Sequence, residues 1–288
     1  MITSMTGYGK SVNQLQDRKI TVEIRTLNSK SLDLNLRIPS AYREKELELR
    51  QLTAAQLSRG KVDVSLYVEH TGTTTGQQLD IAKVENYISQ ISAIDGVAGN
   101  NKLKLVEIAT TFPDVFKSVQ EEVDEKDFSI IMQLVADCLE EVNDFRNKEG
   151  AILKAEFDKR IANISSLLDQ VLIEDKQRLD DVRTRLEKAV SELKEKLDEN
   201  RFEQELIYYL EKYDITEEKV RLQNHLNYFT ETMETSGSQG KKLGFISQEI
   251  GREINTIGSK ANHAAMQQLV VQMKDELEKI KEQMLNVL

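Results

Sequence analysis

The sequence predicts an α+β protein: an N-terminal antiparallel or mixed sheet with helices, followed by a mainly helical C-terminal half with long coiled-coil-like helices. Three observations carry this expectation. Before residue 70, apolar and polar residues alternate with the period of half-buried strands. Between Ala151 and Ser236 there is neither glycine nor proline to stop a helix. Within that span Leu179, Val182, Leu186, Ala189, Leu193 and Leu197 make an a/d-like seam flanked by charge.

The opening "ITSMTGYGK" is expected to supply a first strand. In "RKITVEIRTLNS" (18–29), Ile20, Val22 and Ile24 alternate with Thr21, Glu23 and Arg25. In "KSLDLNLRI" (30–38), Leu32, Leu34, Leu36 and Ile38 alternate with Asp33, Asn35 and Arg37. Asn28 and Ser29 sit at the join and suit a turn or bulge. Pro39 closes the second strand, and 40–58 follows as a helix with Tyr42, Leu49, Leu52 and Leu57 inward. Gly60 stops it, and "KVDVSLYVE" returns to strand alternation through Val62, Val64, Leu66 and Val68. "TGTTTGQQ" (71–78) is a loop, 79–95 a helix, and "DGVAGNN" (95–101) a break. The 179–197 seam is expected to pack on the helix around 141–173. Asp214 and Glu217 have the D-x-x-E spacing of a capping box. The helix they open turns Leu222, Leu226, Phe229 and Met233 inward, with Arg221, His225 and Tyr228 on a neighbouring face. "TSGSQGKKLG" (235–244) is a Gly/Ser-rich loop. These breaks divide the chain into an α+β domain at 1–150, a long helical hairpin or coiled-coil segment at 151–200, and a C-terminal helical domain at 201–288.

A chain of 288 residues is comfortable for two cores. With 39% hydrophobic and 31% charged residues, no tryptophan and two prolines, it has the profile of a soluble, helix-rich protein. No apolar run approaches the roughly 18–20 residues that span a bilayer, so no membrane partner is expected. The opening has no basic region followed by an apolar stretch, so no secretory signal is expected. The single Cys138 cannot form an internal disulfide, which fits a reducing, cytoplasmic location, and it is expected to be a small buried hydrophobe. The formal net charge is −10, but it is unevenly spread. Residues 1–61 hold 11 Lys and Arg against 6 Asp and Glu, a balance of +5, and the remaining 28 and 43 leave −15. A basic N-terminal region on an acidic body can attract a polyanion locally.

"QEIGREINTIGSKANHAAM" (248–266) has a helical pattern but contains Gly251 and Gly258, each costing roughly 1 kcal/mol relative to alanine. At about 100° per residue, 243–266 separates into three faces. Leu243, Ile246, Ile250, Ile254, Ile257 and Ala261 form a core stripe. Gly244, Gly251, Gly258 and Asn262 form one flank, a smooth edge that another backbone or a sugar-phosphate chain can approach closely. Glu249, Glu253, Thr256 and Lys260 form the other. That flank has two readings. Glu253 with Lys260, and Glu249 with Arg252, can be solvated salt bridges. Alternatively Glu249 and Glu253, one turn apart, can hold a divalent cation such as Mg²⁺ or Mn²⁺ with water completing the shell.

The stretches "SMTGYG", "VEIRTLNSKSLDLNLRIP", "LSRGKVDVSLYVE", "DENRFEQEL", "DITEEKVRLQNHLNYF" and "GREINTIGSKANHAAM" together resemble the YicC/YloC family in their order and over nearly the whole chain, most weakly between about 70 and 150. "GREINTIGSKA" is the most specific piece. The resemblance implies a bacterial, metal-dependent endoribonuclease acting in RNA processing or degradation. It further implies a homohexamer with an α+β N-terminal region for RNA binding and oligomerisation, and a helical C-terminal region holding the active site. The family usually has Asn where this chain has Gly251, and reads A-N-D-A-E where this chain has His263 and Ala265. His263 is therefore expected to offer an imidazole as a metal ligand in place of the family's carboxylate.

On that resemblance the expected chemistry is cleavage of single-stranded or looped RNA assisted by Mn²⁺ or Mg²⁺. Glu249, Glu253 and His263 are the expected metal ligands. Arg252 is the phosphate clamp, Lys260 a second clamp, and His225 the acid–base group, because its ordinary pKa lies near neutrality. His225 can equally be a half-exposed helix histidine. Arg25, Lys30, Arg37, Arg59 and Lys61 are expected to hold RNA phosphates, and Asn28 a base edge or 2′-hydroxyl, unless it serves only the turn. Two other classes stay open: an RNA-binding adaptor without catalysis, and a structural oligomer built on the 141–200 helices.

Overall fold

In a computed structural model, which describes residues 2–70, 77–94, 102–118, 125–192, 203–204, 207–208, 211–235 and 237–288, the alternating stretches become strands of one four-stranded sheet. These are β1 (Gly7–Gln14), β2 (Arg18–Leu27), β3 (Leu32–Arg37) and β4 (Gly60–His70). The order is β1-β2-β4-β3, with β1/β2 and β2/β4 antiparallel and β3/β4 parallel. The join at Asn28 and Ser29 is therefore not a hairpin turn. The chain leaves β2, forms β3 at the far edge, and returns to the centre through a 3-10 turn (Ser40–Lys45) and α1 (Glu46–Gln56). A parallel neighbour requires such a crossover.

Alternation sends Ile20, Val22, Ile24, Val62, Val64 and Leu66 to one buried face. The other face is open, and Tyr8, Val12, Leu27 and Tyr67 are exposed on it. A smaller unit follows: β5 (Gln77–Leu79), α2 (Ile81–Ser92), α3 (Lys102–Ala109) and β6 (Phe116–Ser118), with its own core at Val84, Ala109 and Val115. The expected 71–78 loop thus ends in a strand at Gln77. Residues 71–76 and the whole 95–101 break lie outside the described residues.

The spine of the molecule is α4 (Glu125–Glu192), 68 residues in one helix and about 100 Å long. Its first half covers the sheet through Phe128, Ile131, Val135, Leu139 and Val142. Its second half enters a bundle with α5 (Thr216–Glu234), α6 (Gly240–Lys260) and α7 (Ala264–Met284). Two expectations change here. The 141–173 helix and the seam from Leu179 onward belong to the same helix, so one does not fold back on the other; Leu193 and Leu197 lie outside the described residues. The boundary at 150 falls inside α4, and one core joins residues 153–171 with 215–287. An unbroken helical pattern shows that a helix continues but does not show where its apolar face finds a partner. The 235–244 loop is also shorter than expected, because α6 already begins at Gly240. No helix among the described residues is long and apolar enough to cross a membrane.

The chain ends tie the two cores together. Ser4 bridges Val287, Met5 N donates to Asn286 O at 2.8 Å, and Leu288 N donates to Thr3 O at 2.9 Å. Ile2 enters the bundle core. Nearby, Arg146 is 2% exposed and donates to Thr26 Oγ1, Met5 O and Arg59 O at 3.2, 3.2 and 3.3 Å.

Between α4 and α7, Glu276 accepts from Arg160, Asn163 and Lys279 at 3.1, 2.8 and 2.8 Å. Burial pushes its pKa up, but Lys279, Asn163 and Arg160 together outweigh that and hold it at about 2, against the ordinary 4.5. The folded state therefore favours the carboxylate. Its contribution is complete above about pH 4.5 and is lost as the pH falls toward 2. Acid unfolding of wild type against Glu276→Gln should show a difference on the order of 2 kcal/mol at neutral pH that vanishes near pH 2. Parallel stability curves across that window would show that the three donors do not act on Glu276.

Candidate metal centre

The core stripe of α6 is as expected: Leu243, Ile250, Ile254, Ile257 and Ala261 are all at most 1% exposed. Its glycine flank meets α7 of the same chain. A Cβ on Gly258 would lie 2.9 Å from Val270 Cγ1, one on Gly251 3.1 Å from Leu277 Cδ2, and one on Gly244 4.0 Å from Met284 Cε. Seven residues forward on α6 match seven back on α7, so the heptad glycines set an antiparallel helix contact. At Gly251 and Gly258 neither RNA nor another protomer is needed to fill this edge.

The carboxylate flank faces α5. Along that groove, α5 contributes Glu218 and His225, and α6 contributes Lys260, Glu253 and Glu249 in the opposite direction. One ligand atom from each of His225, Glu249 and Glu253 lies within 4.8 Å of the others. Glu253 is 4% exposed and makes no ion pair or side-chain hydrogen bond among the described residues. Glu249 is half-exposed, with Arg252 Nη1 3.8 Å away and Arg252 itself out in solvent. A buried carboxylate without a partner is unfavourable, and a second carboxylate beside it adds repulsion. A divalent cation offsets both terms. Two carboxylate oxygens and an imidazole nitrogen suit Mn²⁺ better than Mg²⁺, which prefers an all-oxygen shell. The donor set therefore fits the metal.

Three expectations need correcting. His263 is not in this cluster. It precedes α7, beyond the end of α6, with Nδ1 3.8 Å from Glu174 Oε2 of α4. Lys260 is no free phosphate clamp, and it does not pair with Glu253. Its Nζ donates to Glu218 Oε1 at 2.8 Å and Asp214 O at 2.9 Å. The capping box is incomplete: Asp214 Oδ1 accepts from Thr216 N at 2.9 Å, while Glu217 pairs with Arg221.

No sequence pattern marks the buried charges that fix this groove. Arg178 of α4 donates to Asp175 Oδ1 at 2.6 Å, to Tyr213 O at 2.8 Å and to Lys260 O at 3.2 Å. Lys219 donates to Asp175 Oδ2 at 2.8 Å. These bonds pin the C-terminus of α6 and the start of α5 to α4, and so set the register that brings His225 opposite Glu253. A buried charge in an amphipathic pattern looks like a solvated one.

The N-terminal basic residues are dispersed. Arg25, Arg37 and Lys61 lie on the open sheet face among carboxylates. Arg25 is opposite Asp63 and 3.6 Å from Glu23, and Asn35 donates to Asp63 at 2.8 Å. Asn28 and Lys30 are exposed where β2 ends. Arg59 donates to Ser29 O at 2.9 Å and so holds that loop.

Residues 2–155 match the family described as endoribonuclease YicC-like, N-terminal region, and residues 171–288 match endoribonuclease YicC-like, C-terminal. The chain belongs to the YicC-like family. A YicC-like relative from Clostridioides difficile (strain 630), named probable endoribonuclease YicC, is 32% identical over 297 residues. One of the same name from Haemophilus influenzae (strain ATCC 51907 / DSM 11121 / KW20 / Rd) is 29% identical over 292 residues. Each comparison covers 100% of both chains. The YicC-like C-terminal match contains all of α5, α6 and α7, and with them the whole His225–Glu249–Glu253 cluster. The YicC-like N-terminal match contains the sheet. Gly251 is where Leu277 of α7 packs against α6.

Proposed function

We propose that this chain is a divalent-metal-dependent endoribonuclease that cuts single-stranded or looped RNA. The observation that carries the proposal is the convergence of His225, Glu249 and Glu253 around a buried, unpartnered carboxylate, in a YicC-like chain. Those three residues would hold Mn²⁺ or Mg²⁺. When bound, the metal supplies charge neutralisation at the scissile phosphate and a more acidic coordinated water. Arg252, solvent-exposed beside Glu249, holds a phosphate with its planar guanidinium. His225 takes a ligand role in place of the acid–base role, because a nitrogen bound to a cation cannot also shuttle a proton. Lys260 positions α6 through Glu218. Incubating the purified protein with a structured RNA, with Mn²⁺ or with EDTA, should give fragments only with metal. Undiminished cleavage in EDTA would overturn metal dependence, and no cleavage with either metal would leave a binding role.

The open sheet face carries Arg25, Arg37 and Lys61, with Lys30 and Asn28 beside it, and we assign RNA phosphates to these cations. Arg37→Ala or Lys61→Ala should each lower the slope of log K against log salt by roughly 0.7 for single strands. Unchanged slopes in both would move the phosphates to the helical half. Arg59→Ala should instead loosen the 28–31 loop. Assembly as a homohexamer rests on the family resemblance, since Val270 and Leu277 of the same chain already pack against Gly258 and Gly251. Light scattering showing a monomer at micromolar concentration would exclude it.

A further inference from the structure

The α5–α6 groove continues past the metal cluster toward the C-terminal end of α5 and the start of α6. Three residues beyond His225 on α5, about 4.5 Å along the axis, Tyr228 is 45% exposed. Lys242 Nζ of α6 lies 4.7 Å from its ring centroid. Four residues before Glu249, on the same side of α6, Phe245 is 59% exposed. Neither ring joins a core cluster. Isolated exposed aromatics are ordinary. Here two stand on facing helices at one rim of the groove, a turn from the cluster, with Lys242 at one end and Arg252 at the other.

We propose that Tyr228, supported by Lys242 and Phe245, is a stacking platform for unpaired bases beside the scissile phosphate, so that the groove selects single-stranded RNA over duplex. The proposal rests on the nuclease reading of the cluster. A duplex base has both faces covered by its neighbours, whereas an unpaired nucleotide offers its face to a ring. Stacking tolerates any base, which suits a site without sequence readout. The cations neutralise the phosphates on either side of the stacked base. The short step from His225 to Tyr228 keeps the stacked base next to the phosphate at the cluster.

The chain has no tryptophan, so Tyr228→Trp introduces a single fluorescent reporter. In EDTA, where the metal reaction is silent, a short unpaired oligouridylate should quench that indole, and an RNA duplex of equal length should not. Tyr228→Ala should weaken oligouridylate binding about 5- to 150-fold, and Tyr228→Phe should keep the wild-type affinity. An unquenched indole at saturating oligouridylate, or full affinity in Tyr228→Ala, would overturn the proposal. Equal quenching by duplex would overturn the single-strand selection. Quenching in a protein that fails to cleave RNA with either Mn²⁺ or Mg²⁺ would retain the platform and remove the nuclease reading, so the two failures are distinguishable.

Discussion

Glu253→Gln is expected to lower metal-dependent RNA cleavage by at least about 100-fold while the protein stays folded and binds RNA. Residues one shell removed from a metal typically cost 10- to 100-fold when changed, and a direct ligand should exceed that. The shape of the side chain is kept and one charge is lost. Stability should move opposite to activity. Glu253 is 4% exposed, so this is no surface substitution, and in metal-free protein the change removes a buried charge that has no partner. The metal-free melting temperature should therefore hold or rise. Addition of Mn²⁺ should stabilise wild type, by about 2.7 kcal/mol at a hundredfold excess over its dissociation constant, and leave the variant unmoved. RNA affinity should hold or improve slightly, with one negative charge fewer near the phosphates. Wild-type cleavage and an unchanged metal-induced shift in Glu253→Gln would remove the cluster as the metal site and leave family membership untouched.

Gly258→Leu should destabilise the helical half by about 3 kcal/mol, and Gly244→Ala on the same edge should stabilise it by up to about 1 kcal/mol. Both substitutions gain helix propensity, so the difference isolates packing. At Gly258 even a Cβ would lie 2.9 Å from Val270 Cγ1, a short branched side chain with little room to yield. Leucine adds three more carbons there and must push α7 away from α6. At Gly244 the nearest atom is the mobile end of Met284, 4.0 Å off, and a methyl group fills space at no strain. Chemical denaturation of both variants checks the pair. Equal stability of Gly258→Leu and wild type would mean that α7 does not rest on that edge.

Much of the candidate site was legible. The three faces of α6 came from angular spacing alone, and the core stripe is buried residue for residue. Glu249 and Glu253 share a flank because residues four apart must. The third member of the cluster was not legible. Spacing does not choose between His225 and His263, and the family resemblance points to His263, which stands where the family has a carboxylate. The antiparallel register of α5 on α6, fixed by the Lys260–Glu218 pair and the Arg178–Asp175–Lys219 bonds, brings His225 to the carboxylates instead.

What the sequence determined by itself is what neighbouring residues impose on one another: strand alternation in 18–38 and 61–68, the apolar stripes of α5 and α6, and the absence of any helix breaker between 151 and 236. These follow from backbone geometry, which fixes the direction of each side chain relative to the next few. Only the tertiary structure decided which face meets which. It placed β3 beside β4 and not β2, made 141–173 and 179–192 one helix, and set α7 against the glycines. The physical reason is that burial is non-directional: an apolar stripe or a smooth edge requires a partner but does not name one. The choice among partners is made by the shape and buried charge of residues far apart in the chain.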